Sequence, residues 1–362
     1  MDQQVIQPTS ASKLSYALGF QRNIHYLRGV AATGVMLGHA AIYYDWTFHD
    51  PSFRPFFPDA FGIYGVAIFF AISGYLMSEL IKRQNAFEFL ARRIVRIYPA
   101  FLIATAVSLL ILAPTLRQGY NPFSALLAPI GKTDYPLRVE WTLVHEVFFY
   151  AALFLVALFR QTKFVPWLGA VWLLSIMVFA MAPHPRIGEA SLPDIPLMVA
   201  NTGFAAGLLI SPMIKRVHTP LLFLTIFGVS LIGVYWLPWY PGRATAGIGS
   251  VFLVAAALQC DFQLPRTADL ALRKLGDWSY AIYLIHVSVI TAVFAFPYAP
   301  LSAMVRFPIA IVAAMLFAIA LGEIDLRFHR VSRAMVQAIP GRMLVAAIGL
   351  FFGTYLLICL LY

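Results

Sequence analysis

Apolar stretches of about 20 residues, bounded by charge, Pro and Gly, recur from one end of the chain to the other. A helix rises ~1.5 Å per residue, so each stretch is long enough to cross ~30 Å of hydrocarbon. The windows fall at about 25–45, 61–81, 97–115, 141–159, 165–183, 195–212, 219–240, 244–260, 279–299, 303–322 and 343–362. They predict an all-α, polytopic transmembrane bundle of about 10–11 spans, folded as a single membrane domain over residues 1–362. The polar leader of roughly 20 residues is followed by a window that lacks a small-residue cleavage site and carries Arg28 and His39, so this window is expected to be retained and not removed as a signal peptide. The two halves of the chain differ in loop length and in where polar residues fall, so no transporter-type repeat is expected. No appended soluble domain is expected after the last span.

Composition agrees with lipid as the solvent: 61% of the residues are hydrophobic, 12% are charged, and the mean hydropathy is +0.79. The net charge of +10 is dispersed through short links and forms no basic tract, which argues against nucleic acid as a partner. Membrane topology accounts for it instead. Lys13, Arg22 and Arg28, the run from Lys82 to Arg96, and the pairs Arg160 with Lys163 and Lys215 with Arg216 all fall on the side of the N-terminus. So do Arg266, Arg273 and Lys274, and the group Arg327, Arg330, Arg333 and Arg342. The positive-inside rule then predicts a cytoplasmic N-terminus and a multi-pass protein of a bacterial inner membrane. Cys260 and Cys359 lie on different spans without metal-type spacing, so neither a disulfide framework nor a metal site is expected.

Ionisable residues inside spans are costly and usually face a bundle interior. Arg28 and His39, eleven residues apart, fall within about 20° of one helix face and roughly 16 Å apart along it. Gly29, Ala31, Ala32, Gly34 and Gly38 around them leave room for another helix or a ligand. Arg28 alone also reads as a side chain reaching back to the interface. Counted from the span ends, Glu146 and His39 come to similar depth, which makes Glu146 the expected partner that orients the imidazole as a general base. His145 points ~100° away and reads as an interfacial histidine. Arg93 and Arg96, one turn apart before Tyr98-Pro99, suit either phosphate binding or an ordinary basic flank. Ser279, Tyr283 and His286 form one polar stripe, compatible with a site or with a helix-packing bond. Glu323 and Asp325 are expected to pair with Arg327 or Arg330, and Ser73 reads as a packing hydroxyl or an acyl carrier.

Five ordered blocks carry a resemblance. They are Tyr26-Leu27-Arg28-Gly29 with His39; Phe69-Phe70-Ala71-Ile72-Ser73-Gly74-Tyr75-Leu76; and Arg93-x-x-Arg96-Ile97-Tyr98-Pro99. Trp141-Thr142-Leu143-x-x-Glu146-x-Phe148-Phe149-Tyr150 and Leu275-Gly276-Asp277-x-Ser279-Tyr280-x-Ile282-Tyr283-Leu284-x-His286 complete the set. Together they resemble the acyltransferase-3 family of integral-membrane acyltransferases, particularly short members linked to exopolysaccharide production. The resemblance implies transfer of an acyl group, commonly acetyl, from cytoplasmic acyl-CoA (acetyl-CoA) to a hydroxyl of a cell-surface glycan or lipid-linked sugar. It implies Arg28, His39 and Glu146 as catalytic residues, and Arg93 with Arg96 as the site for the phosphates of the donor. Glu323 is followed by Ile324-Asp325-Leu326 where many members have a basic residue and Pro, so it is left out of the site. The mechanism expected from this has His39 taking the acceptor proton while Arg28 helps to position or polarise the donor, without a metal. The competing class is a transporter or flippase that uses the same His, Glu and Arg as a proton relay.

Overall fold

The computed structural model describes residues 10–112, 121–131, 133, 135–180, 185, 188–261, 263–295 and 301–361. The first nine residues of the leader, the window ends at 113–115, 181–183 and 296–299, and Tyr362 lie outside these. The helices are α1 Ser10–Phe48, α2 Ala60–Leu80, α3 Ala86–Leu112, α4 Glu140–Leu158, α5 Val165–Phe179 and α6 Thr202–Gly207. They continue with α7 Ile210–Arg216, α8 Pro220–Trp236, α9 Trp239–Gln259, α10 Arg266–Ala295, α11 Ala303–Ala338 and α12 Gly341–Leu361. Among the described residues the only β pairing is a single bridge between Ile130 and Ser191. Eight helices among the described residues are long and apolar enough to cross a membrane: α2 to α4, α5 with its preceding turn, and α9 to α12. α8 is apolar but has 17 residues, and α1, at 39 residues, is diluted by Arg28, His39 and its small polar residues. The chain is an all-α polytopic bundle.

Several helices overrun their apolar windows. α3 starts eleven residues before its window, where Asn85 Oδ1 accepts the Glu88 N–H at 2.9 Å and caps the first turn. Arg92, Arg93 and Arg96 therefore belong to the helix and are not a flank before it. α10 begins at Arg266 instead of 279 and α11 runs on to Ala338, giving helices of 30 and 36 residues, or about 45 and 54 Å against ~30 Å of hydrocarbon. At this projecting end the Tyr26 hydroxyl donates to Asp269, and His25 meets Asp277 at 3.0 Å, which ties α1 to α10.

The window at 195–212 is a correction. It forms two 3-10 turns, Ile195–Leu197 and Val199–Asn201, followed by the short α6 and α7. Pro196 and Pro212 interrupt the backbone donors, and Gly203 and Gly207 lie against the backbone of α2 at Ala67 and Ala71. Irregular backbone of this kind survives at membrane depth because it is enclosed by protein: Asn201, Thr202 and Phe204 are fully buried.

The centre of the bundle is α1, which packs along α10 and also touches α2, α9 and α11. A Cβ on Gly29 would stand 2.7 Å from the backbone of Leu275 and Gly276, so the α1–α10 crossing depends on this glycine. α8 and α12 instead present exposed apolar residues such as Leu221, Ile232, Leu350 and Leu360 to the surroundings. Between α3 and α4, Leu127, Ala128 and Leu137 are completely buried, so α4 begins inside the protein and not at its surface.

Candidate active site

Arg28 and His39 lie on the central helix, but their surroundings differ. His39 Nδ1 is 2.8 Å from His286 Nε2 on α10, with the two rings nearly coplanar at an interplanar angle of 7°. His286 is fully buried, and its Nδ1 lies 2.9 Å from the Ile282 carbonyl oxygen one turn back. A carbonyl only accepts, so with both rings neutral His286 carries its proton on Nδ1 and offers the Nε2 lone pair. His39 must then donate from Nδ1, which leaves its own Nε2 as an acceptor. That nitrogen is directed toward Gly62 of α2, where a Cβ would be 4.0 Å away. The Ser279–Tyr283–His286 stripe thus places an imidazole on His39, while Ser279 only closes a turn by donating to Gly276 O at 2.8 Å.

Arg28 faces a cavity in two lobes that share Arg28, Phe69, Ser73, Glu146 and Tyr280. One lobe adds Arg93, Arg96 and Tyr150; the other adds Phe70, Thr142 and Tyr283. Arg96 pairs with Asp325 at 2.7 Å and stacks over Tyr280 with its guanidinium carbon 4.8 Å from the ring centroid. Arg93 Nε is buried without a hydrogen-bond partner, and among the described residues neither Arg93 nor Arg28 forms an ion pair. Three guanidinium groups therefore line one partly enclosed lobe with a single carboxylate, Glu146, while Asp325 pairs with Arg96 beside it. Such an imbalance suits a multiply anionic ligand.

The expected His39–Glu146 pair is not made. Glu146 accepts from the Tyr150 hydroxyl on its own helix and lines the cavity beside Arg28. The Thr142 and Tyr283 hydroxyls meet at 2.7 Å and set the register of α4 against α10. Tyr283 is three residues from His286, and Glu146 is four beyond Thr142, so Glu146 lies about 10 Å along the bundle from the imidazole pair. Counting from span ends failed because α4 starts beside the buried Leu127, Ala128, Leu137 and Val139, whereas α1 continues to Phe48.

Three further expectations change. Asp325 pairs with Arg96 and not with Arg327 or Arg330, and Glu323 accepts from Trp278 Nε1 at 3.0 Å and from Lys274 at 3.4 Å. His145 is not interfacial: it is buried, with Nδ1 2.5 Å from Asn201 Oδ1. Ser73 lines both lobes of the cavity.

A family profile described as an acyltransferase domain matches residues 21–323, most of the chain. This protein belongs to the acyltransferase-3 family. Similar proteins include the exopolysaccharide production protein ExoZ of Rhizobium meliloti, 30% identical over 257 residues, 64% of this chain and 78% of the relative. Nodulation protein 10 of Rhizobium leguminosarum bv. viciae is 28% identical over 331 residues, 77% of this chain and 86% of the relative. The acyltransferase MdmB of Streptomyces mycarofaciens is 23% identical over 275 residues, covering 63% and 68%. No solved structure matches the chain. For this acyltransferase-3 protein, the arginine cavity and the imidazole pair are the two polar centres that the family match spans.

Proposed function

We propose that this acyltransferase is an O-acetyltransferase that moves the acyl group of cytoplasmic acetyl-CoA to a hydroxyl of a cell-surface or exported carbohydrate. The observation that carries the reading is the hydrogen-bond chain Ile282–His286–His39, which leaves His39 Nε2 as a fixed acceptor. His39 takes the proton of the acceptor hydroxyl as its oxygen attacks the thioester carbonyl. The C–S bond then breaks, and the imidazolium returns the proton to the departing thiolate, giving an O-ester and free CoA thiol. Arg93 and Arg96 bind the nucleotide phosphates of the donor, and Arg28, held near Glu146, positions the acyl arm toward Tyr283, whose ring lies 6.0 Å from that of His286. The basic residues on the N-terminal side support donor entry from the cytoplasm. The similarity to an exopolysaccharide production protein and to a named acyltransferase supports a carbohydrate acceptor and acyl chemistry.

The transporter reading fares less well on a physical point. The imidazole chain ends on a backbone carbonyl, which has no proton to pass on, so as arranged it orients a base and relays nothing. The test is to incubate membranes holding the protein with acetyl-CoA labelled in the acetyl group. Base-labile label in glycan, with stoichiometric release of CoA thiol, is the expected result; thiol release without glycan ester, or no dependence on the protein, refutes the reading.

A further inference from the structure

The face of α1 that carries His39 does not stop there. Tyr43 and Trp46, four and seven residues on, fall within about 40° and 20° of the same direction. The Tyr43 ring stands edge-on to His39 at 6.3 Å between centroids, and the Trp46 ring edge-on to Tyr43 at 5.2 Å. Trp46 is 65% exposed, and its neighbours Asp45, Thr47, His49 and Asp50 are polar, which puts it at a water-facing rim. Arg138, from the segment before α4, reaches the same spot, its guanidinium carbon 5.7 Å from the Tyr43 centroid. Arg138 is exposed but not loosely held. Its backbone is left-handed, φ 62°, between the buried Leu137 and Val139, and the Leu137 N–H donates to the buried Glu140 carboxylate at 2.6 Å.

We infer that Tyr43, Trp46 and Arg138 form the subsite that receives the acceptor sugar and delivers its hydroxyl to His39. An aromatic face carries a negative quadrupole, complementary to the apolar, weakly positive C–H face of a pyranose ring. A guanidinium beside it donates in a fixed fork to ring hydroxyls or, more strongly, to an acidic substituent. The rim thus fits a pyranose, with preference for one bearing a carboxylate. This rests on His39 being the base, and the two ideas fail separately. A merely interfacial tryptophan anchored among headgroups is the competing account.

The experiment uses the full-length protein in nanodiscs, with methyl β-glucopyranoside and methyl β-glucuronoside as probes. Saturation-transfer NMR reads sugar binding without chemistry, and ester formation from acetyl-CoA gives KM for each substrate. In the subsite reading Trp46→Ala weakens saturation transfer to both sugars and raises their KM roughly three- to tenfold, with the KM for acetyl-CoA unchanged. Trp46→Phe stays within about twofold, and Arg138→Gln affects the glucuronoside more than the glucoside. Sugar binding that depends on Trp46 while His39→Ala keeps full activity retains the subsite and removes the base. The inference is overturned if wild-type protein transfers saturation to neither sugar, or if Trp46→Ala lowers only the amount of protein in the membrane.

Discussion

The two ends of the polar face of α1 have different surroundings. Around Arg28 are charges: Arg93, Arg96, Glu146 and Asp325, in and beside a partly enclosed cavity. The groups against His39 are neutral, His286, Tyr43 and the bare backbone of Gly62, and the Arg138 guanidinium stands over Tyr43 instead of on the imidazole. The separation of roughly 16 Å has an energetic sense. A cation 4 Å from a base would oppose its protonation by about 4 kcal/mol at an effective dielectric of 20, but by only about 1 kcal/mol at 16 Å. Anion binding and proton transfer can share one helix if they are kept this far apart.

Substitutions at the two ends should divide along that line. The largest effect is expected at the imidazole end, where His39→Ala lowers kcat by about 10² to 10⁴ with little change in the KM for acyl-CoA. A loss confined to the donor KM would merge the two ends into one. At the charged end Arg93→Ala should raise that KM roughly 10- to 100-fold and leave kcat near wild type. The same variant should distinguish acyl-CoA from acyl-pantetheine, which lacks the nucleotide phosphates, less sharply than the wild type does, with Arg96 retaining part of the preference. His286→Phe removes the acceptor for His39 Nδ1 and should lower kcat about tenfold or more, with His286→Gln recovering part of it through its amide oxygen. Glu146→Gln is the sharpest test of assignment. If it acts with Arg28, donor KM moves by a few-fold and kcat holds; a kcat loss matching His39→Ala would restore Glu146 as the partner of the base. His145→Ala should change activity per folded molecule least, since its bond to Asn201 serves the broken α6 segment, and should instead lower thermal stability by about 1–3 kcal/mol.

The fold was legible because lipid enforces a simple rule, and apolar length located ten of the eleven predicted segments as continuous helices. The exception at 195–212 carried its own warning in Pro196, Pro212 and two glycines, which overall hydropathy hides. The site was only partly legible. Arg28 and His39 share a helix, so fixed periodicity related them correctly, and the Ser279–Tyr283–His286 stripe was visible for the same reason. Relations between helices were not available in that way. The depth of Glu146 depends on the buried segment that precedes α4, and the Arg96–Asp325 pair spans α3 and α11, whose true ends lie well beyond their apolar windows.

From the arginines the cavity extends to Tyr283 past Val66, Phe69, Phe70 and Leu143. Those four side chains offer water no hydrogen bond. An energised membrane stores its energy as an ion gradient, and a continuous water column through a bundle would discharge it. Apolar side chains at this point would interrupt such a column, so Phe69→Ala is expected to show first as ion leakage in the cell and only second as a change in rate.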